Sequence, residues 1–562
     1  MKKYSPLVGA YTTALCVCGL LSNMGFTCLW GGNVLSVQIL TTLATTQAGL
    51  LAIVFSVTIL GVQLVTTRYS PRLVTLFVES PLLKVTFAVL IGSIGFDIAL
   101  LYFQSSFQTW MLDALTLSAG GVALGAALTL YAFIREAMTR STPEGTLRAF
   151  RHHMTVNRFH DELKAYTEHE FTVYPLHPLY SLTISAIDEG QMVTAKNGIA
   201  ALERHCESVI EEAANGRWES LSYDERREFL KLVLHDYLPD IAVKADKEND
   251  HSVTSEAIEL QRSLGEHTLT IPDCDTPCLA VRGMAYTLQD APIEEGHHST
   301  SNIVWNQIGE LYLSICEADQ PEAAARAARA CEQCLPRAVY RYDETLNLSH
   351  GLSNFFRDLD RVHEALFDRY ADSLSSVDLD WRNENLPDGA EDYEPLNALR
   401  THLRLMVSLQ STCLTYRLQK DADPVRSSAL RSLWKKASIR AAETGQSNYA
   451  IAHCQAFIVA TVILHISDCD STNHHTHVLA EISVEAETNI VEAAFDDLLS
   501  YDYQSEGRLA VGDEDWEAHN KKFVPIQLGV ENFSPINTRP EYTETLLELR
   551  QRTREYVTLL EE

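Results

Sequence analysis

Gly49-Leu50-Leu51-Ala52-Ile53-Val54-Phe55-Ser56-Val57-Thr58-Ile59-Leu60-Gly61-Val62-Gln63-Leu64-Val65 runs without a single charged side chain. It is the second half of an apolar stretch over 37–65, and three more lie at 7–30, 83–103 and 111–134. Each reaches the ~20 residues a helix needs to cross ~30 Å of hydrocarbon. The first stretch is too long for a signal-peptide core and lacks a small-x-small site after it. Residues 1–140 are therefore expected to form a bundle of four transmembrane helices.

The links between these stretches predict how the bundle is oriented. Those at 31–36 and 104–110 carry no charge, whereas basic residues stand at the N-terminus, between 66 and 84, and just after the fourth stretch. The positive-inside rule then puts both termini in the cytoplasm of a multi-pass cell-membrane protein.

Charge is divided unevenly along the chain. The 562 residues carry a net charge of -30, yet residues 1–140 hold seven Lys/Arg against four Asp/Glu. An acidic surplus of this size repels phosphate backbones and excludes nucleic acid as a partner. Of the 45 basic residues 13 are Lys and the others Arg. Abundant carboxylates with scarce Lys read as a halophilic surface, since in molar salt the Debye length shrinks to ~3 Å and like charges stop repelling. The 12 Cys are scattered through helical patterns. They are expected to be reduced thiols acting as small apolar groups.

From 136 onward the periodicity is helical. Three helix–break–helix units are expected at 177–214, 303–335 and 446–499, reminiscent of a helical repeat, although no tetratricopeptide consensus is present. Polar links are expected near 246–276, 290–300, 384–395 and 502–540, with a final helix at 540–561. The fold class is thus all-α: a four-helix transmembrane bundle (1–140), a juxtamembrane and first helical region (141–245), and a helical cytoplasmic domain (246–562).

The run from Phe55 to Leu64, continuing through Arg68-Tyr69-Ser70-Pro71-Arg72-Leu73, resembles a prokaryotic family of predicted four-span membrane proteins of unknown function. The resemblance covers roughly 40–135, with a weaker echo at 177–195. It implies the topology and brings no activity. The chain departs from the family in having no strand-like run between 136 and 176, where the family places a small β-rich module.

Several residues could carry function. Thr41, Thr45, Gly49, Ala52, Ser56 and Gln63 fall on one face of the second stretch. Such a face can line a water-filled path or seat another helix closely. Gly121 and Gly125 form a Gly-xxx-Gly of the same packing kind. Asp97 is a carboxylate within the third stretch, where it should face protein or water, be protonated, or bind a cation. Arg68, Ser70, Pro71 and Arg72 fit a helix break at the inner face, with the arginines as headgroup or orientation anchors. Asp468, Cys469, Asp470, His474, His475 and His477 combine donors suited to zinc or copper within a polar break. No phosphate loop, dinucleotide motif, His-Glu-xx-His or Gly-x-Ser-x-Gly occurs. No cofactor is implied.

These readings favour a non-enzymatic membrane protein whose helical domain senses or docks a cytoplasmic protein. Alternatives are an oligomeric channel or transporter lined by the second stretch, and a membrane-bound metal enzyme. Partners expected are the lipid bilayer, a protein bound to the cytoplasmic domain, and a second copy of the chain.

Overall fold

The computed structural model describes residues 32–68, 81–140, 142–167, 174–215, 222–271, 275–290, 298–340, 349–370, 394–420, 427–466, 472–486, 489–500 and 540–561. The first apolar stretch, Ser70, Pro71, Arg72, Asp468, Cys469 and Asp470 lie outside these residues. Among the described residues all regular structure is helical. The chain forms two compact units, Met1–Leu202 and Glu203–Glu562.

Three long helices begin the first unit: α1 (Gly32–Arg68), α2 (Pro81–Phe103) and α3 (Thr109–Arg140). Within them Ser36–Gln63, Leu82–Ser106 and Trp110–Thr139 are long and apolar enough to cross a membrane. They match the second to fourth stretches read from the sequence. The three helices pack on one another. Leu40, Leu100 and Ala119 form one buried cluster, and Val54, Leu82, Leu83, Leu90, Ala126, Leu130 and Phe133 form another. Outward lie Ile53, Phe55, Ile59, Ile91, Tyr102 and Trp110, the apolar exterior expected of helices in lipid.

The last described span does not run on as one helix. Thr142 caps α4 (Pro143–His153) by accepting from the Gly145 amide, and Pro143 opens it where its missing N–H costs nothing. Gly145 is needed at this corner, because a Cβ there would stand 1.8 Å from the Thr139 carbonyl oxygen. Helices α5 (Val156–Thr167), α6 (His177–Asp188) and α7 (Met192–Ala214) follow. Among the described residues of 136–176 the regular structure is helical, with no strand.

The second unit continues with α8 (Tyr223–Lys231), opened by a Ser222/Glu225 capping box. A π-helical turn over Leu232–Tyr237 leads into α9 (Leu238–Lys247). Pro239 cannot donate to the Leu234 carbonyl five residues earlier. Gln261 Nε2 donates to that carbonyl instead. Then come α10 (His251–His267), α11 (Thr276–Asp290), α12 (His298–Glu317), α13 (Pro321–Tyr340) and α14 (Ser349–Tyr370). After these are α15 (Glu394–Lys420), α16 (Ser427–Glu443), α17 (Ser447–Ile466), α18 (Thr472–Glu485), α19 (Ile490–Ser500) and α20 (Pro540–Glu561). The polar link read at 246–276 is corrected. Asp250 accepts from the Ser252 and Val253 amides and starts α10 there.

Successive helices alternate between two rows. Helices α10, α12, α14, α16 and α18 each pack on the next member of their row, as do α9, α11, α13, α15, α17 and α19. This is the packing of a stacked array of helical hairpins. The hairpin turns share a device. Residues with left-handed backbone stand at Gly190 (φ 67), Asn249 (φ 59), Asp319 (φ 56) and Gly445 (φ 77). At three of them the next amide reaches back five residues: Gln191 to Ala186 O (2.8 Å), Asp250 to Ala245 O (2.8 Å) and Gln446 to Ala441 O (2.9 Å). This closes each helix in a Schellman motif. The final helix α20 packs on α17, α18 and α19. Arg550 reaches Glu492 at 2.8 Å and Asp496 at 2.6 Å, and Arg554 reaches Glu492 at 2.7 Å. The bonds from Arg554 and then Arg550 hold the Glu492 carboxyl below its ordinary range.

Candidate functional site

The interior formed by the three described spans is interrupted by a polar layer. On the buried face of α1, Leu40, Gln47 and Val54 recur at steps of seven. On α2, Leu90, Ser93, Asp97 and Leu100 follow at steps of three and four. Leu40 and Leu100 belong to one hydrophobic cluster, Val54 and Leu90 to the other. Gln47, Ser93 and Asp97 therefore lie between the two clusters. They are 1 %, 2 % and 0 % exposed, so water does not reach them. Among the described residues, Gln47 Oε1 and Nε2, Ser93 Oγ and both Asp97 carboxylate oxygens have no hydrogen-bond partner. Each such orphan costs about 1–3 kcal/mol in a buried site. On α3 the matching level lies between Ala119 and Ala126. It carries Gly121 and Gly125, both buried, so little side-chain volume fills this level from α3.

The end of the bundle where α1 and α3 begin differs. Ser36 Oγ donates to Asp113 at 2.6 Å, joining the start of α1 to the start of α3. Thr116, one turn from Asp113, bonds its own helix at Leu112 O, as Thr86 does to Leu82 O at the opposite end of the bundle.

The stripe read on the second stretch has a different setting from the layer. Thr41, Thr45, Gly49, Ala52, Ser56 and Gln63 are exposed. Thr41, Thr45 and Ser56 turn their hydroxyls onto carbonyls of α1 itself. The contacts with α2 and α3 are made by the opposite face, which holds Gln47. Arg68 closes α1.

The donor set at 468–477 is placed only in part. His474, His475 and His477 lie on α18 rather than in a polar break, which corrects that reading. Thr472-Asn473 opens the helix, and Val478, Leu479 and Ile482 carry its apolar side. His474 is exposed, His475 is buried against the Phe457 ring (5.4 Å), and His477 pairs with Glu481 at 3.1 Å. His475 points about 100° away from His474, and His477, one turn on from His474, is taken up by Glu481. Among the described residues no three His, Cys, Asp or Glu side chains stand close enough to share a metal ion. Cys331 and Cys334 lie one turn apart on α13, and the described cysteines are free thiols.

A second polar cluster, in the helical array, went unread in the sequence. His363 on α14, His402 on α15 and His453 on α17 are buried at 1 %, 1 % and 0 % exposure. The His363 ring lies 4.9 Å from His453 and 5.7 Å from His402, centroid to centroid. Phe367, Trp434 and Tyr449 stack around His453. Tyr312 Oη is 2.9 Å from His402 Nδ1. Burial keeps all three imidazoles neutral. It pushes His363 down to about 3, and His402 and His453 well below the usual histidine range, with the neighbouring imidazoles adding to the shift of the latter two. Each histidine is flanked by helix-period apolar residues, and a lone histidine on such a face gives no sign that two others will meet it.

Comparison with known proteins bears on the first unit. Residues 7–170 match the family model described as "Predicted membrane protein (DUF2254)". The DUF2254 match takes in all three described spans together with α4 and α5, and it agrees with the resemblance carried by Gln63-Leu64 and Ser70-Pro71-Arg72-Leu73. No curated protein matches the chain. A solved "Circular tandem repeat protein with novel repeat topology and enhanced subunit contact surfaces" aligns with 92% of this chain and 100% of its own, at 13% identity and a TM-score of 0.22. A superposition that loose carries no argument, and the array reading rests on the helix packing alone.

Proposed function

We propose that this DUF2254-matched membrane protein is a membrane-anchored docking scaffold, without catalytic activity of its own, whose helical array holds a cytoplasmic protein. The observation that supports this most is the two-row stacking of α9 to α19. Stacked hairpins present one long side-chain surface, a form suited to gripping another protein. On the exposed side of the even-numbered row stand Glu259 and Glu364, with Glu310 beside Arg262 and Asp368 paired with Arg440. The partner surface that fits them is basic, rich in Arg or Lys. The uncharged outer links and basic inner links support an array facing the cytoplasm.

The test uses the full chain in its native membrane, with photo-cross-linking residues at Glu259, Glu310 and Glu364 in turn. One and the same protein should cross-link from all three positions, and reversing the three charges to Lys should abolish it. Different adducts at each position, or an adduct indifferent to charge reversal, would refute the scaffold. A second reading, an ion or proton pathway, is favoured by one observation: the unpartnered carboxylate of Asp97 within the bundle. Liposome flux that Asp97→Asn leaves unchanged would exclude it.

A further inference from the structure

The polar layer of the bundle has a donor chemistry that selects its ligand. From the layer we infer that Gln47, Ser93 and Asp97 form a binding site for a single monovalent alkali cation, an inference that rests on the ion-pathway reading and names its ion class. The layer offers four buried oxygens free of partners among the described residues: Gln47 Oε1, Ser93 Oγ, Asp97 Oδ1 and Asp97 Oδ2. A proton on Asp97 satisfies one of them. A sodium-like ion can take all four, because hard cations bind carboxylate, amide carbonyl and hydroxyl oxygens together.

Charge decides the valence. Between Lys84 and Arg135 the only charged side chains are Asp97 and Asp113, and Asp113 bonds Ser36 at the end of the bundle. One carboxylate therefore faces the layer from α2. Gln47 on α1 is neutral, and α3 brings only glycines and apolar residues to this level. A monovalent cation leaves the layer neutral, whereas a divalent one leaves a net charge in hydrocarbon, which is costly. Among the described spans no His or Cys stands beside these oxygens, so the donors in view are the oxygen set a hard cation takes.

The experiment measures equilibrium binding of radioactive sodium to the full chain in nanodiscs, with choline as the inert replacement, beside flux in liposomes. Saturable uptake of about one ion per chain is expected, weakened at least about tenfold by Asp97→Asn, which corresponds to ~1.4 kcal/mol. Ser93→Ala and Gln47→Leu should each weaken it less, and acid should compete with it. Asn is isosteric with Asp and uncharged, so the variant should keep its helix content, and Ser93→Ala serves as an independent check. No saturable binding, or binding untouched by Asp97→Asn, overturns the site. Proton flux without alkali binding also overturns the site and leaves the pathway standing. Binding without flux supports the site and ends the pathway reading.

Discussion

Acidification should unlock the helical array through its three buried histidines. Folded, His363, His402 and His453 are neutral, the first held down to about 3 and the others well below 6.5. Unfolded, each titrates near its ordinary value of ~6.5. A base depressed in the folded state loses stability as pH falls through the unfolded pKa, because only the unfolded chain takes up protons. Moving from pH 7.5 to 5.5 costs about 1.4 kcal/mol for one such histidine, hence about 4 kcal/mol for three. That is a large share of the 5–15 kcal/mol that holds a typical domain. Asp358 and Asp360, raised by burial, take up protons in the folded state and oppose this, so the figure is an upper one. His453→Phe isolates the effect. Both His453 nitrogens lack partners among the described residues, and Phe367, Trp434 and Tyr449 already surround the ring. At pH 7.5 the variant should match the parent to within about 1.5 kcal/mol, as volume-conserving core changes do. Its loss between pH 7.5 and 5.5 should shrink by about one third, the share of one histidine in three. The assay is thermal or urea unfolding of the full chain in nanodiscs, followed by fluorescence of the buried Trp305 and Trp434. An unchanged pH slope in His453→Phe would refute the reasoning.

Three further outcomes follow from the packing. Arg550→Ala should break the bond to Asp496 and leave Arg554 as the remaining hold on Glu492, exposing residues 540–561 to protease faster than in the parent. In the parent this clasp should weaken in acid, because Glu492 is depressed and its contribution is lost as pH falls through the folded value. Gly145→Ala should push the corner between α3 and α4 apart, since the new Cβ would sit 1.8 Å from a carbonyl oxygen; a loss of about 2 kcal/mol or more in unfolding measurements is expected. The acidic surface should make the chain more stable in molar KCl than in dilute buffer, as a higher melting temperature, because salt screens like charges beyond ~3 Å.

How much was legible in the sequence depended on the physics of each part. Spans at 37–65, 83–103 and 111–134 are readable because hydrocarbon tolerates few alternatives to a long apolar helix. The hairpin at 303–335 was visible as well, because Asp319-Gln320-Pro321 ends one helix and starts the next. The segment 246–276 misled because its polar side chains suggest a link, while the Asp250 cap and the buried Val253, Ala257, Ile258 and Leu264 make a helix of it. Gln47 was passed over in favour of the outward stripe of Thr41, Thr45 and Ser56. Both faces of α1 carry polar groups, and only packing tells which one looks inward. The histidines meet across residues 363 to 453, a closeness no local pattern can encode.

The central claim is that residues 32–140 cross the membrane and the helical body lies on its cytoplasmic side. Protease applied to sealed membrane vesicles of opposite orientation tests it most directly. In inverted vesicles the body should be digested, leaving a membrane-retained fragment that contains α1 to α3, and in right-side-out vesicles the body should survive. Digestion of the body from the outer face, or release of α1 to α3 into the supernatant, would contradict the account.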